Sequence, residues 1–157
     1  MLWYVLYTKP RSEQKVAQRL DQLGVQVYCP MITELRTWSD RKKKVSTPLF
    51  KSYVFVKLRE KQRNLVFNVP GVVRYMHWLG KPAVVRNHEI ETIEKWLNND
   101  EVEQMEINEI SPGDKIMINN GSLEGKEAIV REVGKKQMRL ILPEMGFSVV
   151  VKTREVL

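Results

Sequence analysis

The sequence predicts an α+β N-terminal domain built as an α/β sandwich with an antiparallel sheet, then a linker, then a small all-β barrel. Three observations carry this. Apolar residues recur at helical spacing between short β-rich runs in the first hundred residues. After residue 110, glycine, proline and charged turns cut the chain into strand-length pieces. Charge divides at the same place: residues 1–98 hold 18 Lys and Arg against 8 Asp and Glu, a net of +10, whereas residues 99–157 hold 8 against 11, a net of −3.

Leu2 to Tyr7 is an apolar run rich in β-formers and reads as a buried strand. Thr8-Lys9-Pro10 ends it, and Val16, Leu20 and Leu23 recur at i, i+4, i+7 before Gly24, which predicts a helix over 11–23. Arg11, Lys15, Arg19 and Gln22 follow at helical spacing on its other side, as a cationic ridge or an ordinary solvated face. Val25 to Leu35 and Val45 to Leu58 read as strands, joined by a turn at Thr37-Trp38-Ser39-Asp40-Arg41. Glu60 to Asn68 reads as a short helix stopped by Pro70-Gly71, Val72 to Trp78 and Ala83 to Val85 as strands around Gly80-Lys81-Pro82. Ile90, Ile93 and Leu97 predict a last helix over 87–98. Residues 99–110, acidic and poor in aromatics, read as a linker. Beyond it Ile116–Ile118, Ala128–Val133, Met138–Leu142 and Phe147–Val151 are strand-like, and short strands so close together suit a barrel without free edges.

The 157 residues carry a net charge of +7, which points to an anionic partner, and 43% apolar residues, a globular proportion. No apolar span approaches the 18 or so residues of a membrane helix, and MLWYVLYTKP lacks the marks of a signal peptide. One cysteine, Cys29, and two histidines, His77 and His88, offer neither a disulfide nor a zinc-type ligand set, so no metal and no cofactor is expected, and the counts fit a reducing cytoplasm. No spacing pairs a nucleophile with a base, so the protein is not expected to be an enzyme.

The most informative stretch is WSDRKKKVSTPLFKSYVFV, residues 38–56, where Arg41, Lys42, Lys43 and Lys44 stand a few residues before Leu49, Phe50, Tyr53, Val54, Phe55 and Val56. Crowded like charges do little for folding. They project toward solvent or an anion, while the apolar run suits a core or a protein partner. Tyr53 and Phe55, at i and i+2, share one face of a strand, and Val54 and Val56 share the other.

The order of these parts resembles the NusG-type transcription elongation factors. The resemblance rests on Trp3-Tyr4-Val5, Pro48 to Val56, Val69-Pro70-Gly71-Val72-Val73 and Gly80-Lys81-Pro82-Ala83-Val84-Val85, then Ser111-Pro112-Gly113-Asp114-Lys115 with Gly121 to Val130. Ala128 stands where the KOW motif usually has Gly. The resemblance implies an NGN-type domain over 1–98, a linker over 99–110 and a KOW (SH3-like) barrel over 111–157. Pro30-Met31-Ile32-Thr33, the basic hairpin and Pro48-Leu49-Phe50 are similar to specialised RfaH-like and polysaccharide-operon regulators.

As a member of such a family the chain is expected to act as a monomer in transcription elongation and antitermination. RNA polymerase would bind at Tyr7, Phe50, Tyr53, Phe55, Ile90 and Ile93, on an exposed aromatic side of the sheet. Lys9, Arg11, Lys15, Arg19 and Gln22, with Arg41, Lys42, Lys43 and Lys44, are expected to meet non-template or upstream duplex DNA of the elongation complex. Trp38 is placed either to stack on an unpaired base or to shield the hairpin. The acidic barrel is expected to recruit a protein such as Rho or ribosomal protein S-ten through Leu142, Pro143, Met145 and Phe147, a segment that reads equally as a turn between core strands. The competing reading is a stand-alone KOW-type RNA-binding module of the ribosome-associated kind, whose basic surface would lie on the barrel.

Overall fold

A computed structural model describes residues 1–39, 41–99, 102–109, 131–132 and 137–153. In chain order these form β1 (Leu2–Thr8), α1 (Glu13–Gln22), β2 (Gln26–Tyr28), β3 (Met31–Trp38), β4 (Arg41–Pro48) and β5 (Tyr53–Leu58). A 3-10 helix (Glu60–Asn68), β6 (Val72–Tyr75), β7 (His77–Trp78), β8 (Lys81–Pro82), β9 (Val84–Val85) and α2 (Asn87–Leu97) complete the N-terminal half. The C-terminal half contributes β10 (Val102–Glu109), β11 (Arg131–Glu132), β12 (Gln137–Leu142) and β13 (Phe147–Thr153). The expected barrel strands at 116–118 and most of 128–133, with the KOW-like motifs from Ser111 to Val130, lie outside the described residues.

β1 is the hub of the first sheet, pairing antiparallel with β5, β6 and β9, while β2 pairs with the far side of β5. The fold is thus the expected mix of α-helices and antiparallel sheet. Strand parity then sorts the core into two clusters. Tyr4, Leu6, Val56 and Leu58 share one face with Val16 and Leu20 of α1 and with Val66, Val69 and Tyr75. Trp3, Val5 and Phe55 share the other with Ile90, Ile93 and Trp96 of α2.

Two long strand readings are cut by local chemistry. Val25–Leu35 breaks at Cys29-Pro30, because proline brings no N–H to a ladder, so β2 joins the main sheet while β3 starts a separate ribbon with β4. Val45–Leu58 breaks at Leu49–Ser52, where Ser52 adopts φ 70 and β5 begins afresh. Glu13, buried at the start of α1, holds that turn: its Oε2 accepts the Ser52 N–H at 2.9 Å. α1 itself starts two residues later than expected, since Arg11 has φ 65 and lies outside the helix.

Gly71 explains why Val-Pro-Gly-Val-Val takes the form it does. Its φ is +98, and an added Cβ would meet Val16 Cγ2 at 3.0 Å and Ser12 Cβ at 3.3 Å. Its carbonyl accepts the Lys9 N–H at 2.9 Å, tying the start of β6 to the end of β1. Gly71→Ala is expected to lose about 2 kcal/mol from backbone strain and the clash with α1, read as a lowered urea midpoint with an unchanged slope.

The segment expected as a linker is largely a strand. β10 pairs with β13 from Val102 to Glu109 in a four-stranded antiparallel sheet ordered β10-β13-β12-β11. Met105 and Ile107 supply the two-residue alternation, and Glu106 between them faces the other way. Register places Met105, Ile107, Met138, Leu140, Leu142, Phe147, Val149 and Val151 on one face of this sheet. That apolar face belongs to the same cluster as Phe55 and α2, so it packs on the N-terminal half.

Candidate functional site

The six residues expected to hold a protein partner come together on one face of the first sheet. Tyr7 and Tyr53 are cross-strand neighbours, their rings edge to face with centroids 5.6 Å apart. Phe50 stands perpendicular to Phe55 at 5.3 Å. Ile90 and Ile93 cover the same face from α2. Three residues missing from the expected set join them: Trp3 by parity with Val5 and Tyr7 along β1, Trp96 one helical turn beyond Ile93, and Tyr28 stacked on Phe55 at 6.4 Å. The first two were findable by spacing; Tyr28 needed the β2–β5 register.

Exposure differs from expectation. Phe50, Phe55, Ile90 and Ile93 are buried, and only Tyr7 and Tyr53 keep partial access. Part of the cover is α2. The rest is the C-terminal sheet: Phe147 lies edge-on to Tyr53 at 5.9 Å, and Glu144 Oε1 accepts the Val84 N–H at 3.1 Å. The seam is incomplete. A cleft of about 450 Å³ remains between Ile32, Pro48 and Phe50 on one side and Ile107 and Phe147 on the other.

Leu142, Pro143, Met145 and Phe147 form the tight turn that makes this contact. The N–H groups of Met145 and Gly146 return to the Leu142 carbonyl at 3.2 and 3.1 Å, and Gly146 supplies φ 73. Leu142 and Met145 are buried, Pro143 and Phe147 half-buried. The two sets of expected partner-binding residues therefore cover each other.

The cationic elements lie elsewhere. Arg41, Lys42, Lys43 and Lys44 are all exposed on β4, and the register Trp38↔Arg41, Thr37↔Lys42, Arg36↔Lys43 runs them along a two-stranded ribbon. Strand alternation splits them into two pairs, Arg41 with Lys43 on one face and Lys42 with Lys44 on the other. Trp38 sits opposite Arg41 at the ribbon's end. Lys15, Arg19 and Gln22 are exposed on α1, which packs on the sheet face opposite the aromatics, while Lys9 and Arg11 are exposed in the loop before it. Arg74, missing from the expected set, stacks over the Tyr7 ring at 5.7 Å.

Among the described residues no three His, Cys, Asp or Glu side chains converge on a common point. Burial, followed by the nearby Glu13, pushes the Cys29 thiol up to about 11, so it stays protonated and unreactive at neutral pH. Among the described residues no helix is long and apolar enough to cross a membrane.

The family model described as "Transcription termination factor nusG" matches residues 1–94, more than half of the chain. The chain belongs to the NusG family. It is similar to the NusG "Transcription termination/antitermination protein" of Rickettsia bellii, with 23% identity over 149 residues covering 88% of this chain and 77% of that one. The counterpart in Rickettsia felis is 24% identical over 152 residues, covering 88% and 78%. Among solved structures it is similar to the NusG of Thermotoga maritima, at 20% identity and a TM-score of 0.42 over 97% of this chain and 93% of that one. The Spt5-containing MjSpt4:Spt5 complex follows at 17% identity and a TM-score of 0.33, over 98% and 95%.

Within the NusG match, each N-terminal stretch that carries the resemblance has a structural task. Trp3-Tyr4-Val5 is the central strand facing both clusters, Pro48–Val56 is the Glu13-held turn plus β5, and Val69–Val73 is the Gly71 corner. Gly80–Val85 turns β7 into β8 and brings β9 back to β1. The family is one of transcription termination and antitermination factors.

Proposed function

We propose that this NusG-family chain is a transcription elongation and antitermination factor that binds RNA polymerase through the β1–β5 face bearing Tyr7, Phe50, Tyr53, Phe55, Ile90 and Ile93. The observation that carries the reading is the aromatic row of that face, two rings of which, Tyr7 and Tyr53, run out to a partly open edge. Apart from α2, its cover comes from the C-terminal sheet. A face covered by a separate sheet can be uncovered, and Trp and Tyr anchors in such a place carry most of an interface's energy. Engagement requires the C-terminal sheet to leave, which also frees Leu142, Pro143, Met145 and Phe147 for a second protein of the Rho or ribosomal protein S-ten kind.

The ribbon cations and the Lys9–Gln22 region supply contacts to phosphates of the elongation complex, with Trp38 at the ribbon's end. Because α1 and the aromatic face lie on opposite sides of the sheet, the domain can lie between polymerase on one side and DNA on the other. The basic ribbon, Pro30-Met31-Ile32-Thr33 and Pro48-Leu49-Phe50 favour a specialised, RfaH-like member of the family.

Retention on immobilised core polymerase tests this. Tyr53→Ala is expected to weaken retention by about 30-fold, the usual effect of truncating an aromatic anchor, and to abolish read-through in a reconstituted elongation assay. Retention by free RNA alone, indifferent to Tyr53, would favour the RNA-binding module instead.

A further inference from the structure

Two carboxylates from the two halves of the molecule meet at the corner where β9 turns into α2. Glu89, 3% exposed, sits in the first turn of α2, and its Oε1 accepts the Arg86 N–H at 2.8 Å, a capping contact within the corner. Glu144, at the tip of the β12–β13 turn, reaches across sixty residues of sequence to accept the Val84 N–H at 3.1 Å. The Val84 and Arg86 N–H groups, two residues apart, thus each hold one carboxylate, Glu144 from the turn and Glu89 from α2. The charged groups acting on Glu89 are Arg86 from its own corner and Glu144 from the turn.

We propose that Glu89 and Glu144 form a proton-gated latch, which holds the C-terminal sheet over the aromatic face while Glu89 is protonated and loosens it when Glu89 ionises. Glu89 is buried, so its ionised form is poorly hydrated while the sheet is docked, and the half-buried Glu144 adds a like charge near it. Burial and then Glu144 push the Glu89 acid up to about 7, against the opposing pull of the Arg86 N–H and charge. Undocking removes Glu144 and admits water, returning Glu89 toward its ordinary value near 4.5.

The sign follows. Between those two values the docked form binds more protons than the open form, so docking is strongest at the acid end and weakens as pH rises. The closed-to-open ratio falls by up to about tenfold per pH unit in that window and levels off above it. The site controlled is the polymerase face proposed above, but the latch stands or falls without polymerase.

NMR of the full chain across pH 5 to 8, with no polymerase added, tests it. The expected result is one shared midpoint near 7 for the Glu89 carboxyl carbon, the Val84 amide and the backbone of Glu144 to Phe147. Glu144→Gln, which keeps the acceptor for Val84 and removes the charge, is expected to lower the Glu89 midpoint and shift the chain toward the closed form. Glu89→Gln is expected to abolish the pH response of Val84. A Glu89 midpoint near 4.5 in the unaltered chain, or Val84 and the turn failing to follow Glu89, overturns the latch. Failure of polymerase binding with these titrations intact would overturn the function and leave the latch standing.

Discussion

Phe55→Ala is expected to destabilise the protein by about 3–5 kcal/mol, the range for truncating a fully buried aromatic. Phe55 is 0% exposed and is touched by the Phe50 and Tyr28 rings, so little can collapse into the space it leaves. That loss is comparable to the whole stability of a modest domain, and urea unfolding followed by tryptophan fluorescence will show it as a large drop in midpoint. Tyr53→Ala, two residues earlier on the same face, removes a half-buried ring with two edge contacts, to Tyr7 and Phe147. Its expected cost is only about 1 kcal/mol. The pair therefore separates folding from binding: the first variant fails in both measurements, the second mainly in polymerase retention.

Removing the ribbon charges is the second large effect. Each phosphate neutralised contributes roughly 0.7 to 0.9 to the slope of log affinity against log salt. Because alternation turns Arg41 and Lys43 one way and Lys42 and Lys44 the other, one strand of nucleic acid lying along the ribbon meets one pair. The account predicts that one double variant, either Arg41→Ala with Lys43→Ala or Lys42→Ala with Lys44→Ala, lowers the slope by about 1.4 to 1.8 and weakens binding to an elongation complex roughly tenfold at low salt. The other double variant is expected to change the slope by half a unit or less. Equal losses from the two pairs would mean that the ribbon is wrapped, not laid along one strand.

Much of this site was legible in the sequence because parity and helical spacing are local. The i, i+2 relation put Tyr53 and Phe55 on one face, and i, i+3 spacing put Ile90 and Ile93 on one side of α2. Breaks at Pro30 and Ser52 were less visible: a β-rich run looks continuous until proline's missing N–H or a left-handed residue is weighed against the ladder it must join. β10 was hidden by its charges, since four acidic residues from Glu101 to Glu109 obscured the Met105–Ile107 alternation. Nor does a strand's pattern say what its apolar face meets. Met138, Leu140, Phe147 and Val149 announce burial, but only tertiary contacts reveal that they lie against the aromatic face.

The most direct measurement places a photoreactive p-benzoylphenylalanine at position 53 of the chain. In the free chain it is expected to cross-link to β13 near Phe147, its ring neighbour at 5.9 Å. On addition of core RNA polymerase the cross-link is expected to move from β13 to a polymerase subunit. If polymerase binds while the internal cross-link to β13 keeps its full yield, the aromatic face is not the binding surface and the account is contradicted.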